Sequence, residues 1–198
     1  MDAIFHIGYH KTGSTWLQKA VFPQIRNWAI VPRQVVMADI VEPRPFEFDA
    51  EAVRDRLQGR FGERVLLSEE ELSGNPHAAG LNGLMSREVA ERLHAVAPGA
   101  RVLIFIREQI EAMGSLYVQY VKRGGNYGPR KYLLGQAGQP FRDPFFQWAH
   151  LDYWPLIRYY RELFGPERVH VIPYEHLPDD PQGLLASLAS SLNWDLDR

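Results

Sequence analysis

The sequence contains no cysteine. That excludes disulfides, thiol nucleophiles and thiolate metal sites, and it is compatible with a reducing compartment. Long apolar runs are missing too: nothing approaches the roughly 20 residues that a membrane-spanning helix needs. Charge of one sign is not in excess, since 22 basic residues stand against 24 acidic ones for a formal net charge of −2. No bulk field therefore draws the chain to nucleic acid or to an anionic membrane, and any anionic ligand has to be held by local groups. There is no internal repeat and no low-complexity tract. Met1 and Asp2 lead almost directly into an apolar run, leaving no room for a signal peptide. The expectation is one cytoplasmic domain over residues 1–198, without an integral membrane segment. No pattern sets an oligomeric state.

What is present points to an α/β protein. With 198 residues and 45% hydrophobic content the chain can bury one sizeable core. Four segments read as strands buried on both faces: residues 3–8 (AIFHIG), 65–68 (VLLS), 101–106 (RVLIFI) and 168–173 (RVHVIP). A weaker one is 28–32 (WAIVP). Helical patterns fall between them, over 51–58, 86–96, 109–122, 152–164 and 182–192. In 109–122, Ile110, Met113, Tyr117 and Val121 recur at helical spacing and mark an expected apolar face. Residues 32–49 read as an irregular excursion, and 124–144 as a loop or lid rich in Gly, Pro, Arg and aromatics. The alternation of strand and helix predicts a three-layer α/β/α domain with a central parallel sheet. In such sheets ligands bind beyond the carboxyl ends of the strands. Here those ends lead into a glycine loop, Glu69-Glu70-Glu71, Arg107 and Tyr174-Glu175.

The loop is HIGYHKTGSTWLQ, residues 6–18. Gly8 and Gly13 keep the glycine spacing of the nucleotide-triphosphate loop G-x-x-x-x-G-K-[ST], but Ser14 and Thr15 follow Gly13 directly and the lysine, Lys11, lies inside the loop. A helix is expected from Ser14, with Trp16, Leu17, Ala20 and Val21 at helical spacing. Backbone N–H groups of residues 11–15 would then face an anion at the helix N-terminus, with Lys11 adding a full charge. No strand ends in the aspartate with which a P-loop NTPase helps hold magnesium. Residues 101–106 end instead at Arg107, whose guanidinium suits a second phosphate.

HKTGSTWLQ resembles the 5′-phosphosulfate loop of the sulfotransferases that use 3′-phosphoadenosine 5′-phosphosulfate. VLIFIREQIEAMGSLYVQYVK is similar to their 3′-phosphate motif, with Arg107 and Ser115 at the matching positions; VHVIPYEHLPDDP resembles a later Y-E-x-L segment. VLLSEEELS is similar to a segment of bacterial and glycan-directed members and aligns Glu70 with the family glutamate. The resemblance implies a P-loop NTPase-like sulfotransferase fold, a 3′-phosphoadenosine 5′-phosphosulfate donor and no metal. It assigns the 5′-phosphosulfate to Lys11, Thr12, Gly13, Ser14 and Thr15, and the 3′-phosphate to Arg107 and Ser115. Lys11 would stabilise the charge growing on the bridging oxygen. Two departures stand out. His10 occupies a position where many relatives have proline. No basic, glycine-containing loop is evident after Leu192 to close over the 3′-phosphate, so Arg123, Arg130 or Lys131 substitutes, the chain continues beyond Arg198, or donor binding is weaker.

Glu70 is the candidate general base for an acceptor hydroxyl, the alternative being a solvated helix cap. His10, beside Lys11, is a second candidate for contact with the sulfuryl group or acceptor. His77 competes for the base role, while His6, inside a strand, reads as a core residue. Trp16 either stacks on adenine or fills the core. Arg123, Arg130 and Lys131, near Tyr120, Tyr127 and Tyr132, either grip a small-molecule or glycan acceptor or form a solvated basic loop. Two other functions compete with sulfuryl transfer: a small kinase with a degenerate loop, and a non-catalytic nucleotide-binding module.

Overall fold

The computed structural model describes residues 1–75, 77, 85–135, 146 and 148–196. Five strands form one all-parallel sheet in the order β2-β3-β1-β4-β5. They are β1 (Asp2–His6), β2 (Ala29–Val31), β3 (Arg64–Ser68), β4 (Arg101–Ile106) and β5 (Val169–Pro173), matching the five expected segments. The helices are α1 (Ser14–Trp16, extended by a π-type turn over Leu17–Val21), α2 (Arg33–Val36, extended likewise over Met37–Val41), α3 (Ala50–Phe61), α4 (Ser86–Val96), α5 (Gln109–Lys122), α6 (Pro129–Leu134), α7 (Tyr153–Phe164), α8 (His176–Asp179) and α9 (Pro181–Leu192).

Strand alternation produces the three layers. Ala3, Phe5, Ile7, Val65, Leu67, Val102 and Ile104 face one core, shared with Val53 and Leu57 of α3, Leu93 of α4, Leu116 of α5 and Ile157 of α7. Ile4, Leu66, Leu103 and Phe105 face the other, shared with Leu17, Val21 and the α9 residues Leu184, Leu188 and Leu192. Both faces of β1 are thus covered, so its run is apolar throughout rather than alternating.

Helix boundaries follow local chemistry. Asp49 caps α3 by accepting from the N–H groups of Glu51 and Ala52, each at 3.0 Å. Glu108 caps α5 through Ile110 and Glu111, at 3.0 and 2.8 Å. Arg92 of α4, only 3% exposed, donates to the carbonyls of Ile40 (2.6 Å) and Pro43 (2.8 Å) and pairs with Glu88, fastening the end of the α2 extension.

Three expectations need correction. Residues 32–49 contain α2 and its extension rather than an irregular path; the prolines at 32, 43 and 45 bracket the helical stretch instead of breaking it. On α5 the side chains turned fully inward are Ala112 and Leu116, while Ile110 is 70% and Val121 46% exposed. Ala112 and Leu116 form the line that enters the core, with Met113 and Tyr117 partly buried beside it, which a count of hydrophobes at helical spacing does not reveal. The segment 124–144 is not all loop: Pro129 at the first turn and Gly135 at the C-terminus bound α6. Its residues 136–144 lie outside the described residues.

Candidate active site

The sheet order explains how the candidate residues meet. β1 is central, flanked by β3 and β4, so the loop after β1 lies at the switch point of the sheet, between the carboxylates that follow β3 and the arginine that follows β4. Gly8 has φ +91°, and a Cβ there would stand 3.2 Å from the Cα of Glu70. Loop and acidic turn therefore touch backbone to backbone. Lys11 (φ 66°) and Gly13 (φ 87°) both take left-handed conformations, which turn the chain back toward α1. Thr12 is fully buried and its hydroxyl donates to the carbonyl of Tyr9 at 2.6 Å. Its side chain braces the loop and leaves only its backbone to face a ligand.

Among the described residues, the backbone N–H groups of residues 11–15 find no protein acceptor, and no ion pair holds the Lys11 ammonium. Ser14 is buried and its hydroxyl donates to Glu70 Oε1. Thr15 is exposed, and Trp16 is half-buried against the core on the α9 side. Arg107 docks onto this loop: one guanidinium nitrogen donates to the Lys11 carbonyl at 3.2 Å, and its carbon lies 4.7 Å from the centre of the Tyr174 ring. Tyr174 also abuts the loop, since a Cβ on Gly13 would meet Leu177 at 2.9 Å and Tyr174 at 3.2 Å. The Tyr153 hydroxyl donates to the Arg107 carbonyl at 2.8 Å, and Glu175 accepts the Glu108 N–H at 2.8 Å. Ser115 is half-buried two turns along α5, beyond Glu111, which pairs with Arg107 at 3.4 Å.

The three consecutive glutamates have three different partners. Glu69 is 2% exposed and bound by Arg33, Nε to Oε2 at 2.6 Å; burial pushes its carboxyl above the ordinary value despite that cation. Glu71 meets His10 Nε2 at 3.5 Å and accepts from Asn75 at 2.9 Å; burial opposes its ionisation, but these partners outweigh it and hold the carboxyl below its usual value. Glu70 is the one that bonds Ser14, at the helix end of the loop. Glu70 and Glu71 line a cavity of about 500 Å³ together with His10, Arg33, Asn75, His77, Gln119, Tyr120 and Arg123. His77 bonds the Tyr132 hydroxyl at 2.7 Å, and burial, with the charges of His10 and Arg123 behind it, lowers its pKa. His150 lies 6.3 Å from the His10 ring centre and is pushed down to about 3, by burial first and by His10 and His77 next. His6 is a core residue as expected: fully buried, bonded to Ser68 at 2.8 Å, and lowered by burial to about 3.

The structure thus gathers Lys11, Ser14, Glu70, His10, Arg107 and Arg123 at one rim. Arg130 and Lys131 stand apart on α6, Arg130 exposed and the Lys131 ammonium 3.8 Å from the Tyr127 ring centre; neither belongs to the described lining of the cavity. Sequence reasoning passed over Arg33, although it follows β2 as Arg107 follows β4 and the strand-end rule selects both. Asn75 and Gln119 carry no comparable signal.

A glycine loop at the switch point of a parallel sheet covered on both faces defines a P-loop-type α/β architecture. The particular form is the sulfotransferase fold. The chain superimposes on a sulfotransferase from Alicyclobacillus acidocaldarius with a TM-score of 0.69 at 21% identity, covering 98% of this chain and 82% of that one. The sulfotransferase domain of a Synechococcus olefin synthase gives 0.62 at 14% identity, covering 100% and 74%. A mouse sulfotransferase complexed with PAP gives 0.55 at 16% identity, and there the match spans 100% of this chain but 61% of the mouse protein. No protein-family model matches the sequence, and no curated protein matches it.

Proposed function

We propose that this single domain transfers a sulfuryl group from 3′-phosphoadenosine 5′-phosphosulfate to a hydroxyl or amine of a small-molecule or glycan acceptor, without a metal ion. The observation that carries this reading is the loop itself: unclaimed N–H groups over residues 11–15, a lysine within the loop, and Arg107 fastened to that lysine's carbonyl. Such a pair of anion sites suits a nucleotide held at two separate ends. Lys11 and the loop amides hold the 5′-phosphosulfate; Arg107 and Ser115 hold the 3′-phosphate. The PAP complexed with the mouse sulfotransferase supports a donor of this class.

In the reaction, the acceptor oxygen or nitrogen attacks sulfur from the cavity side while the bond from sulfur to the bridging oxygen breaks. The electron pair stays on the 5′-phosphate, where Lys11 offsets the growing charge. Glu70 takes the acceptor proton. His10, held by Glu71, lines the same cavity and contacts the acceptor, and Arg123 sits at its rim.

The test is release of 3′,5′-adenosine bisphosphate from the donor over a panel of phenols, sugars and amines, with magnesium chelated. Acceptor-dependent release supports the proposal. Phosphoryl transfer from magnesium-ATP to the same panel, with none from the sulfuryl donor, sinks it.

A further inference from the structure

We infer that Ser14 is a positioning residue that couples occupancy of the loop to the freedom of Glu70. This inference rests on the sulfuryl-transfer reading and goes beyond it. Glu69 is neutralised by Arg33 and Glu71 is held by His10 and Asn75. Glu70, between them, has as its partner among the described residues the hydroxyl of Ser14, a group of the cradle itself. In the ligand-free protein its carboxylate is bonded to one hydroxyl of the cradle. The acidic turn lies against the loop: at Gly8 a Cβ would come within 3.2 Å of the Glu70 Cα, and the Glu69 N–H donates to the His6 carbonyl at 3.1 Å.

An incoming phosphosulfate brings its own oxygens to the same hydroxyl and places like charge beside the carboxylate. Ser14 is taken over, and Glu70 turns into the acceptor cavity that it already lines. Two consequences follow. The donor binds first, because until then the base is engaged elsewhere. And Glu70, though it acts on the acceptor, lowers the affinity for the donor by competing for the loop.

The experiment is calorimetric titration with 3′,5′-adenosine bisphosphate. Glu70→Ala and Glu70→Gln are expected to bind it roughly tenfold tighter than wild type, the scale of one hydrogen bond to a charged group. Glu71→Gln, which removes a neighbouring charge that pairs with His10 and not with Ser14, is expected to change affinity by about twofold at most. A thermal-denaturation cycle over Ser14→Ala and Glu70→Ala supplies a second readout. It should show coupling between the two residues without nucleotide and none at saturating bisphosphate; a merely structural serine keeps the same coupling in both. Unchanged or weaker binding in both Glu70 variants, with wild type binding normally, overturns the inference and leaves the sulfuryl-transfer reading intact. Failure of wild type to bind the bisphosphate overturns both.

Discussion

Gly13→Ala is the substitution whose effect the structure determines most fully. Gly13 has φ 87° and ψ 9°, the left-handed conformation, and it is the N-cap of α1. An alanine there costs about 1–2 kcal/mol in backbone strain alone. Its methyl would also lie 2.9 Å from the Leu177 Cδ2 and 3.2 Å from the Tyr174 ring. Leu177 can move, but Tyr174 is the surface on which the Arg107 guanidinium rests. For a domain of this size a loss of about 1–2 kcal/mol lowers Tm by roughly 2–8 °C. Displacing the Tyr174 ring also disturbs Arg107, which in the proposed reading holds the 3′-phosphate, so affinity for 3′,5′-adenosine bisphosphate should fall about tenfold or more, beyond what 5′-AMP, which lacks that phosphate, loses. Differential scanning calorimetry and titration of both nucleotides read the two effects. An unchanged Tm, or equal losses for the two nucleotides, would refute the argument that Gly13 is required by its backbone and that Tyr174 links the sites.

Three other outcomes are expected. Burial pushes His6 and His150 down to about 3, below the ordinary histidine value of 6.5; between those values the unfolded chain binds more protons, so stability is present above about pH 6.5 and lost on acidification. The loss from pH 6.5 to pH 5 amounts to about 3 kcal/mol for the two histidines, measured by urea denaturation against pH, and a flat profile over that window contradicts it. Arg92→Ala removes the donor from the carbonyls of Ile40 and Pro43 and should cost about 3 kcal/mol or more, with less than about 1 kcal/mol counting against the packing account. Glu70→Gln should lower acceptor-dependent turnover by about 10²-fold or more; unchanged turnover removes Glu70 as the base.

The sequence was most legible where one physical signal dominated. Runs apolar on both faces located all five strands, because only a sheet covered on both sides needs them. The loop was legible through its glycines, and the structure gives both of them positive φ. Less was legible where packing decides between equivalent patterns. On α5 two sets of residues satisfy helical spacing, and only the tertiary packing turns Ala112 and Leu116 inward and leaves Ile110 and Val121 exposed. The division of labour among Glu69, Glu70 and Glu71 was likewise hidden, since three identical side chains in a row acquire different partners from Arg33, Ser14 and His10, which approach from distant parts of the chain. Arg130 and Lys131 looked equivalent to Arg123 in sequence. The short helix α6 carries them away from the cavity.

The central claim is that one rim of the protein clasps a nucleotide at two anionic ends with fixed cations rather than a divalent ion. Its most direct test is titration of 3′,5′-adenosine bisphosphate and ATP, each with and without magnesium, against wild type, Lys11→Ala and Arg107→Ala. The account predicts binding of the bisphosphate that is indifferent to magnesium and lost in both variants. Preference for magnesium-ATP, or bisphosphate binding untouched by either substitution, would contradict it.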